Sequence, residues 1–115
     1  MQYMLVIYAD PDHYETIDAE AKQLVYKDYV SIFDDLTADG RLVHTSPLEN
    51  ASEGKTVAVR SGRRNVVDGP FAATKEQIAG YFLVEANDLD EACAIAARIP
   101  DATHGGIEVR PILNH

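Results

Sequence analysis

The chain has 115 residues, the length of one domain, and 46% hydrophobic against 25% charged residues exclude a disordered tail. Nineteen Asp and Glu against ten Lys and Arg leave a formal charge of −9, which argues against a general binder of nucleic acid or of anionic membrane, since both need a positive surface. The single cysteine, Cys93, excludes an internal disulfide. No apolar run approaches the roughly 18 residues of a membrane span, and the N-terminus lacks the basic start and small-residue cleavage site of a signal peptide, so the expected location is the cytoplasm.

Residues 3–9 place Tyr3, Leu5 and Ile7 on one face of a strand and Met4, Val6 and Tyr8 on the other. Both faces are apolar, the pattern of a strand covered on both sides. Asp10-Pro11-Asp12 turns the chain. A helix is predicted over about residues 18–39, with Ala21, Leu24, Val25, Tyr29, Ile32, Phe33 and Leu36 at three- and four-residue spacing. Asp18 caps its start, and Gly40 ends it as a left-handed residue. Arg41 to Leu48 reads as a second strand, interrupted late by Pro47.

Residues 56–60 and 64–68 flank Ser61-Gly62-Arg63 as a hairpin, which Asp68-Gly69-Pro70 ends. Ile78 to Ala86 is a strand apolar on both faces. Asp88-Leu89-Asp90-Glu91 has capping-box spacing and opens a helix with Leu89, Ala92, Cys93, Ala96 and Ala97 on its apolar face, stopped by Pro100. Residues 106–112 form a last strand, in which Ile107 and Val109 alternate with Glu108 and Arg110.

There is no repeat, linker or low-complexity stretch, so residues 1–115 read as one domain. The order is β-α-β, an inserted β-hairpin, then β-α-β. That is an α+β fold with a ferredoxin-like βαββαβ core and both helices on one face of a mainly antiparallel sheet. The other face would then expose a large apolar patch, which monomers avoid, and a second copy of the sheet is its simplest cover.

Asp68 is the most distinctive candidate. An acid before Gly-Pro is turn chemistry, its carboxylate accepting nearby backbone N–H groups, and it also suits a general base at a cleft mouth. His44 lies on the second strand, where alternation gives it the face of Leu42 and Ser46, and is the histidine with a candidate cleft role. His13 in a turn and His115 at the end are expected to be solvated, and His104 lies in a loop. No two histidines have ligand spacing, so no metal is expected. The common nucleotide and hydrolase signatures are absent, so no cofactor is expected. Cys93, among alanines, reads as a buried inert thiol.

Lys55, Arg60, Arg63 and Arg64 form a positive island on the hairpin, since residues 54–67 hold no acid. It suits an anionic metabolite or an acidic partner, or serves only to blunt an exposed strand edge. Arg60 is its ligand-binding candidate. If Ile107 and Val109 face the helices, Glu108 and Arg110 face the opposite side, where they form an ion pair or bind a ligand. Lys75, in Thr74-Lys75-Glu76, either solvates a loop or binds a ligand.

Val67-Asp68-Gly69-Pro70-Phe71, Thr74-Lys75-Glu76, Gly80-Tyr81-Phe82 and the terminal Glu108-Val109-Arg110-Pro111 together resemble the DGPF branch of the YCII-related proteins. The resemblance runs from the first strand to the C-terminus. It implies a dimeric α+β barrel, two ferredoxin-like sheets packed face to face. It also implies association of some members with extracytoplasmic-function sigma factors, and in a few relatives small-molecule chemistry by a His and an Asp in a cleft. Aligned on Gly40-Arg41-Leu42, the histidine of YCII-type proteins falls near Tyr29, which makes Tyr29 a further ligand-binding candidate.

Two functions follow. One is a non-catalytic homodimeric module that binds a small anionic or aromatic ligand or acts with a sigma factor. The other is a small-molecule enzyme, a lyase, isomerase or dehydrohalogenase, with Asp68 and His44 as acid and base.

Overall fold

A computed structural model describes residues 1–114; His115 lies outside the described residues. Among the described residues, six strands and two helices follow as β1 (Gln2–Ala9), α1 (Ala19–Ala38), β2 (Leu42–Pro47), β3 (Lys55–Arg60), β4 (Arg63–Asp68), β5 (Gln77–Glu85), α2 (Leu89–Ala97) and β6 (Gly106–Pro111). Short 3-10 turns lie at His13–Glu15, Ala51–Glu53 and Pro100–Thr103. β2, β5, β1 and β6 form, in that order, one antiparallel sheet, and β3 pairs with β4 in a separate two-stranded sheet. This mixed architecture is consistent with a ferredoxin-like α+β fold.

The alternation of β1 decides which face is covered. Tyr3, Leu5, Ile7 and Ala9 are buried, and they cluster with Phe82 and Val84 of β5, Ile32 and Leu36 of α1, and Ala92, Ile95 and Ala96 of α2. Both helices therefore lie on this one face. Ile107 and Val109 of β6 join them, opposite Ile7 and Leu5.

Local chemistry sets the helix ends where the sequence places them. Asp18 Oδ1 accepts from the Ala21 N–H at 2.8 Å. At the other end Gly40 takes φ +70°, and the Arg41 N–H reaches the Leu36 carbonyl at 2.9 Å, closing a Schellman motif. Asp88 Oδ1 caps α2 through the Glu91 N–H at 2.8 Å, while Glu91 reaches back to the Asn87 N–H at 3.1 Å.

Two helix faces differ from expectation. On α1 only Ile32 and Leu36 are buried, and Leu24 and Phe33, predicted for the apolar face, are exposed. The N-terminal half of α1 stands off the sheet and leaves a cleft. On α2 the buried stripe is Ala92, Ile95 and Ala96, continued by Ile99, so Cys93 is exposed and not buried. Alanines all round a helix give its rotation no direction. The large side chains Ile95 and Ile99 select the stripe that turns inward, because they bury more apolar area.

The opposite sheet face carries Met4, Val6 and Tyr8 of β1, with Tyr81 and Leu83 of β5. Glu108 and Arg110 lie there beside Val6 and Met4, and their side chains form an ion pair. A bulge between Leu42 and His44 interrupts the alternation of β2. It leaves Leu42 opposite Val84 on the helix face but puts His44 opposite Leu83 on the open face, so the two do not share a face as expected.

The molecule is wide and thin, 47 × 44 × 18 Å, with a radius of gyration of 16.0 Å where a compact chain of this length has about 13 Å. It exposes 7959 Å², whereas a compact monomer of 12.7 kDa exposes about 6,200 Å². No helix among the described residues is long and apolar enough to cross a membrane.

Candidate functional site

The stand-off of α1 opens a cleft of about 550 Å³ between this helix and strands β2 and β5, a size typical of small-molecule sites. Val25, Tyr29, Val30 and Phe33 form its helical wall, and Pro47, Ala79 and Phe82 form its sheet wall. The Tyr29 and Phe82 rings are parallel within 7°, with centroids 6.4 Å apart. The charged side chains in the lining are Lys22 and Asp101.

Asp101 gives this apolar cleft its polar end. Ile99, buried in the core, anchors the chain immediately before it, and Pro100 starts the 3-10 turn that carries Asp101 inward. The residue is only 4% exposed. Its Oδ1 accepts from the Tyr14 hydroxyl at 2.6 Å and lies 3.0 Å from His104 Nε2; its Oδ2 accepts from the Tyr29 hydroxyl. Burying a carboxylate costs several kcal/mol unless donors replace its water, and these three groups do so. Gly105 follows at close quarters: its N–H donates to the Asp101 carbonyl at 2.8 Å, and a Cβ there would stand 2.0 Å from the Tyr8 carbonyl oxygen. No larger residue fits between this turn and β1.

An aromatic cluster backs the carboxylate. The His13 ring stacks on His104 at 3.6 Å and 17°, and Tyr14 meets both rings edge-on. His13, expected to be solvated, is therefore half-buried. His104 Nδ1 is buried without a hydrogen-bond partner, which fits the tautomer that carries its proton on Nε2, toward Asp101. Burial first, then the hydrogen bond to Asp101 and its charge, pushes the Tyr14 and Tyr29 phenols above the usual tyrosine range. Both stay protonated at neutral pH and donate to the carboxylate. The Tyr29 oxygen keeps lone pairs that are able to accept from a ligand donor.

Of the residues predicted for a site, Tyr29 alone reaches this cleft. Asp68 ends β4 on the hairpin, its side chain 86% exposed and paired with Lys55 across the strands. Its carboxylate does not close the turn as expected. Gly69 is held instead by its N–H to the Gly54 carbonyl at 2.8 Å and by Thr56 Oγ1 on its own carbonyl at 2.8 Å, so the backbone donor is already satisfied. Arg60 lies at the far end of the same hairpin. His44 sits on the open sheet face, with Nδ1 2.7 Å from the Tyr81 hydroxyl. Arg110 shares that face but lies on the opposite edge strand. Lys75 Nζ is 3.8 Å from Asp10 Oδ2 in a loop. Asp68 and His44 thus stand on different sheets, and one chain does not bring them together. Among the described residues, no group of three or more His, Cys, Asp or Glu is placed to hold a metal ion.

Neither Asp101 nor Tyr14 is among the residues that the sequence singles out, and His104 stands there only as a loop residue. Asp101 stands in a four-residue turn with no periodic signal, and its phenol partners are 87 and 72 positions away. The available sign was an acid directly after the apolar Ile99-Pro100 and just before His104-Gly105-Gly106.

A family model described as a YCII-related domain matches residues 1–115. The chain is also similar to an uncharacterized protein of Rhizobium meliloti (strain 1021), with 31% identity over 114 residues that cover 97% of this chain and 92% of that one. The chain therefore belongs to the YCII-related family.

Proposed function

We propose that this YCII-related protein binds a small, flat organic molecule in the cleft beneath α1, with Asp101 and Tyr29 holding its polar end. One observation carries this: a buried carboxylate, supplied with two phenols and an imidazole, closes an otherwise apolar cavity that opens to solvent. Convergent polar groups in an apolar cleft are the usual signature of a ligand site. The parallel Tyr29 and Phe82 rings favour an aromatic or enolic ligand, and Lys22 on the rim favours an anionic one. The test is a thermal-shift screen of aromatic and enolic acids against the wild type and Val30→Trp, a rim substitution that fills the cleft. A ligand at a hundred times its Kd adds about 2.7 kcal/mol of apparent stability. The expected hits raise the wild-type Tm and leave the filled variant unmoved; equal shifts in both, or none, speak against the cleft.

A second reading, acid–base catalysis on that ligand, is favoured by the Tyr29–Asp101 pair. The Tyr29 oxygen takes a proton from the ligand while its own proton moves to Asp101, which leaves the ligand one proton short and Asp101 neutral. Positioned proton transfer of this kind contributes about 10²–10⁴ in rate. Asp101→Asn should keep ligand binding within a few-fold and lose turnover by about a hundredfold; unchanged turnover would leave binding as the whole function.

The proposal includes a homodimer in which the open sheet faces meet as an α+β barrel. The apolar stripe of Met4, Val6, Tyr8, Tyr81 and Leu83 supports it, as does the excess of about 1,700 Å² over the surface of a compact monomer. The Asp68-Gly69-Pro70-Phe71 block supports placing the chain in the DGPF branch of the family. Sedimentation at micromolar concentration should give a dimer that Val6→Glu dissociates. A clean wild-type monomer would contradict the pairing.

A further inference from the structure

We propose that the β3–β4 hairpin is an arm that grips the acidic body of a second copy of this chain. The inference rests on the dimer proposed above and goes beyond its sheet-to-sheet contact.

The hairpin has no adequate support within its own chain. Its six cross-strand pairs, from Lys55–Asp68 to Arg60–Arg63, form a sheet of their own, hydrogen-bonded to no strand of the main sheet. Every residue of β4 is exposed, and in β3 only Thr56 and Ala58 are half-buried. Val57 and Val66 lie opposite one another on one face, Val67 lies on the other, and Val57 and Val59 are each 61% exposed. A lone two-stranded hairpin is marginal in water, and six-residue strands make an arm of about 20 Å.

The tip adds a charge problem. Arg60 and Arg63 stand directly opposite each other across a two-residue turn, with Arg64 next to them. Ser61 and Gly62 both take positive φ, as a type I′ turn requires, so the turn sets this register. Like charges directly opposite each other destabilise a hairpin. Lys55 has Asp68, but none of the three arginines has an acidic partner among the described residues.

A second copy supplies what the arm lacks. The hairpin, residues 55–68, carries four cations and one acid, a net +3, so within a chain of −9 the remainder stands at −12. Arm and body are thus of opposite sign within one sequence. A two-fold pair lets each arm reach the other body, and both contacts form at once. The same negative body repels nucleic acid and anionic membrane, the other surfaces that attract arginines.

The test places the photo-crosslinking residue p-benzoylphenylalanine at Val59 in the full chain. Unlabelled protein carrying it is mixed with ¹⁵N-labelled wild type, exchanged, irradiated and analysed by mass spectrometry, beside sedimentation of the same sample. The expected result is dimer with light–heavy crosslinks from residue 59 to the body of the other copy. Arg60→Glu/Arg63→Glu/Arg64→Glu should lose those crosslinks and weaken the dimer tenfold or more at low salt. Dimer that gives only light–light crosslinks within one chain, or none, overturns the arm and leaves the sheet-face pairing standing. Monomer throughout overturns both.

Discussion

Replacing Asp101 with alanine removes the one acceptor shared by Tyr14, Tyr29 and His104, and so separates three segments of chain that its carboxylate ties together. A hydrogen bond to a charged group contributes about 1.5–3 kcal/mol, and a buried donor left without one costs about 1–3 kcal/mol. Two effects reduce the sum. The desolvation cost of the carboxylate disappears, and the cleft admits water to the freed phenols. A net loss of about 3 kcal/mol follows. At about 2.1 cal/mol/K per residue the unfolding entropy of this chain is about 0.24 kcal/mol/K, so Tm falls by about 12 °C. Asparagine should cost only about 1 kcal/mol, because a hydroxyl serves equally as donor and acceptor and Tyr29 can accept from the new amide. The assay is thermal and urea unfolding at fixed protein concentration, with Tyr14→Phe and Tyr29→Phe made singly and in the Asp101→Ala background. The phenol substitutions should destabilise the wild type but add almost nothing once Asp101 is gone, a coupling of at least 1 kcal/mol. An Asp101→Ala Tm within 2 °C of wild type, or additive double substitutions, would show that the carboxylate does not tie these segments together.

Three further outcomes follow from named contacts. The Tyr14 and Tyr29 pKa values are raised on folding, so their contribution to stability is complete below the unfolded value of about 10 and is lost as pH rises above it; absorbance at 295 nm should show late-titrating phenols that vanish in the Tyr14→Phe/Tyr29→Phe protein. Cys93, exposed on α2, should react with a thiol reagent in the native state within about tenfold of the rate in urea, and hundredfold protection would show that its face is covered. Asp68→Asn should change stability by under about 1 kcal/mol, since its pair with Lys55 is exposed at both ends, and a larger loss in urea unfolding would return the residue to a structural role.

What the sequence made legible was local. Asp18, Gly40 and Asp88 mark helix ends because capping needs only neighbours within a few residues. The alternation of β1 sets Tyr3, Leu5 and Ile7 on one face because strands have period two, and that face is the one buried beneath the helices. The alanines and Cys93 of α2 differ too little in apolar area to choose a face; Ile95 and Ile99, four residues apart, carry the signal that sets its rotation. The bulge that turns His44 away from Leu42 comes from the pairing of β2 with β5, a register no single strand contains. Asp101 was hidden for a related reason. Its burial depends on Tyr14 and Tyr29 arriving from the other half of the chain, whereas Asp68 stands out in the sequence yet ends on the surface of an arm.

The cleft beneath α1, with Asp101 at its polar end, is the proposed ligand site. Amide chemical-shift mapping tests it most directly: the ¹⁵N-labelled protein is titrated with a fragment mixture of flat aromatic acids to millimolar concentration. The expected shifts group at Tyr29, Phe33, Ala79, Gly80 and Asp101 and are abolished by Val30→Trp. Shifts grouped instead at Arg60 and Asp68 on the hairpin, or at His44 and Arg110 on the open sheet face, or no shifts at all, would contradict it.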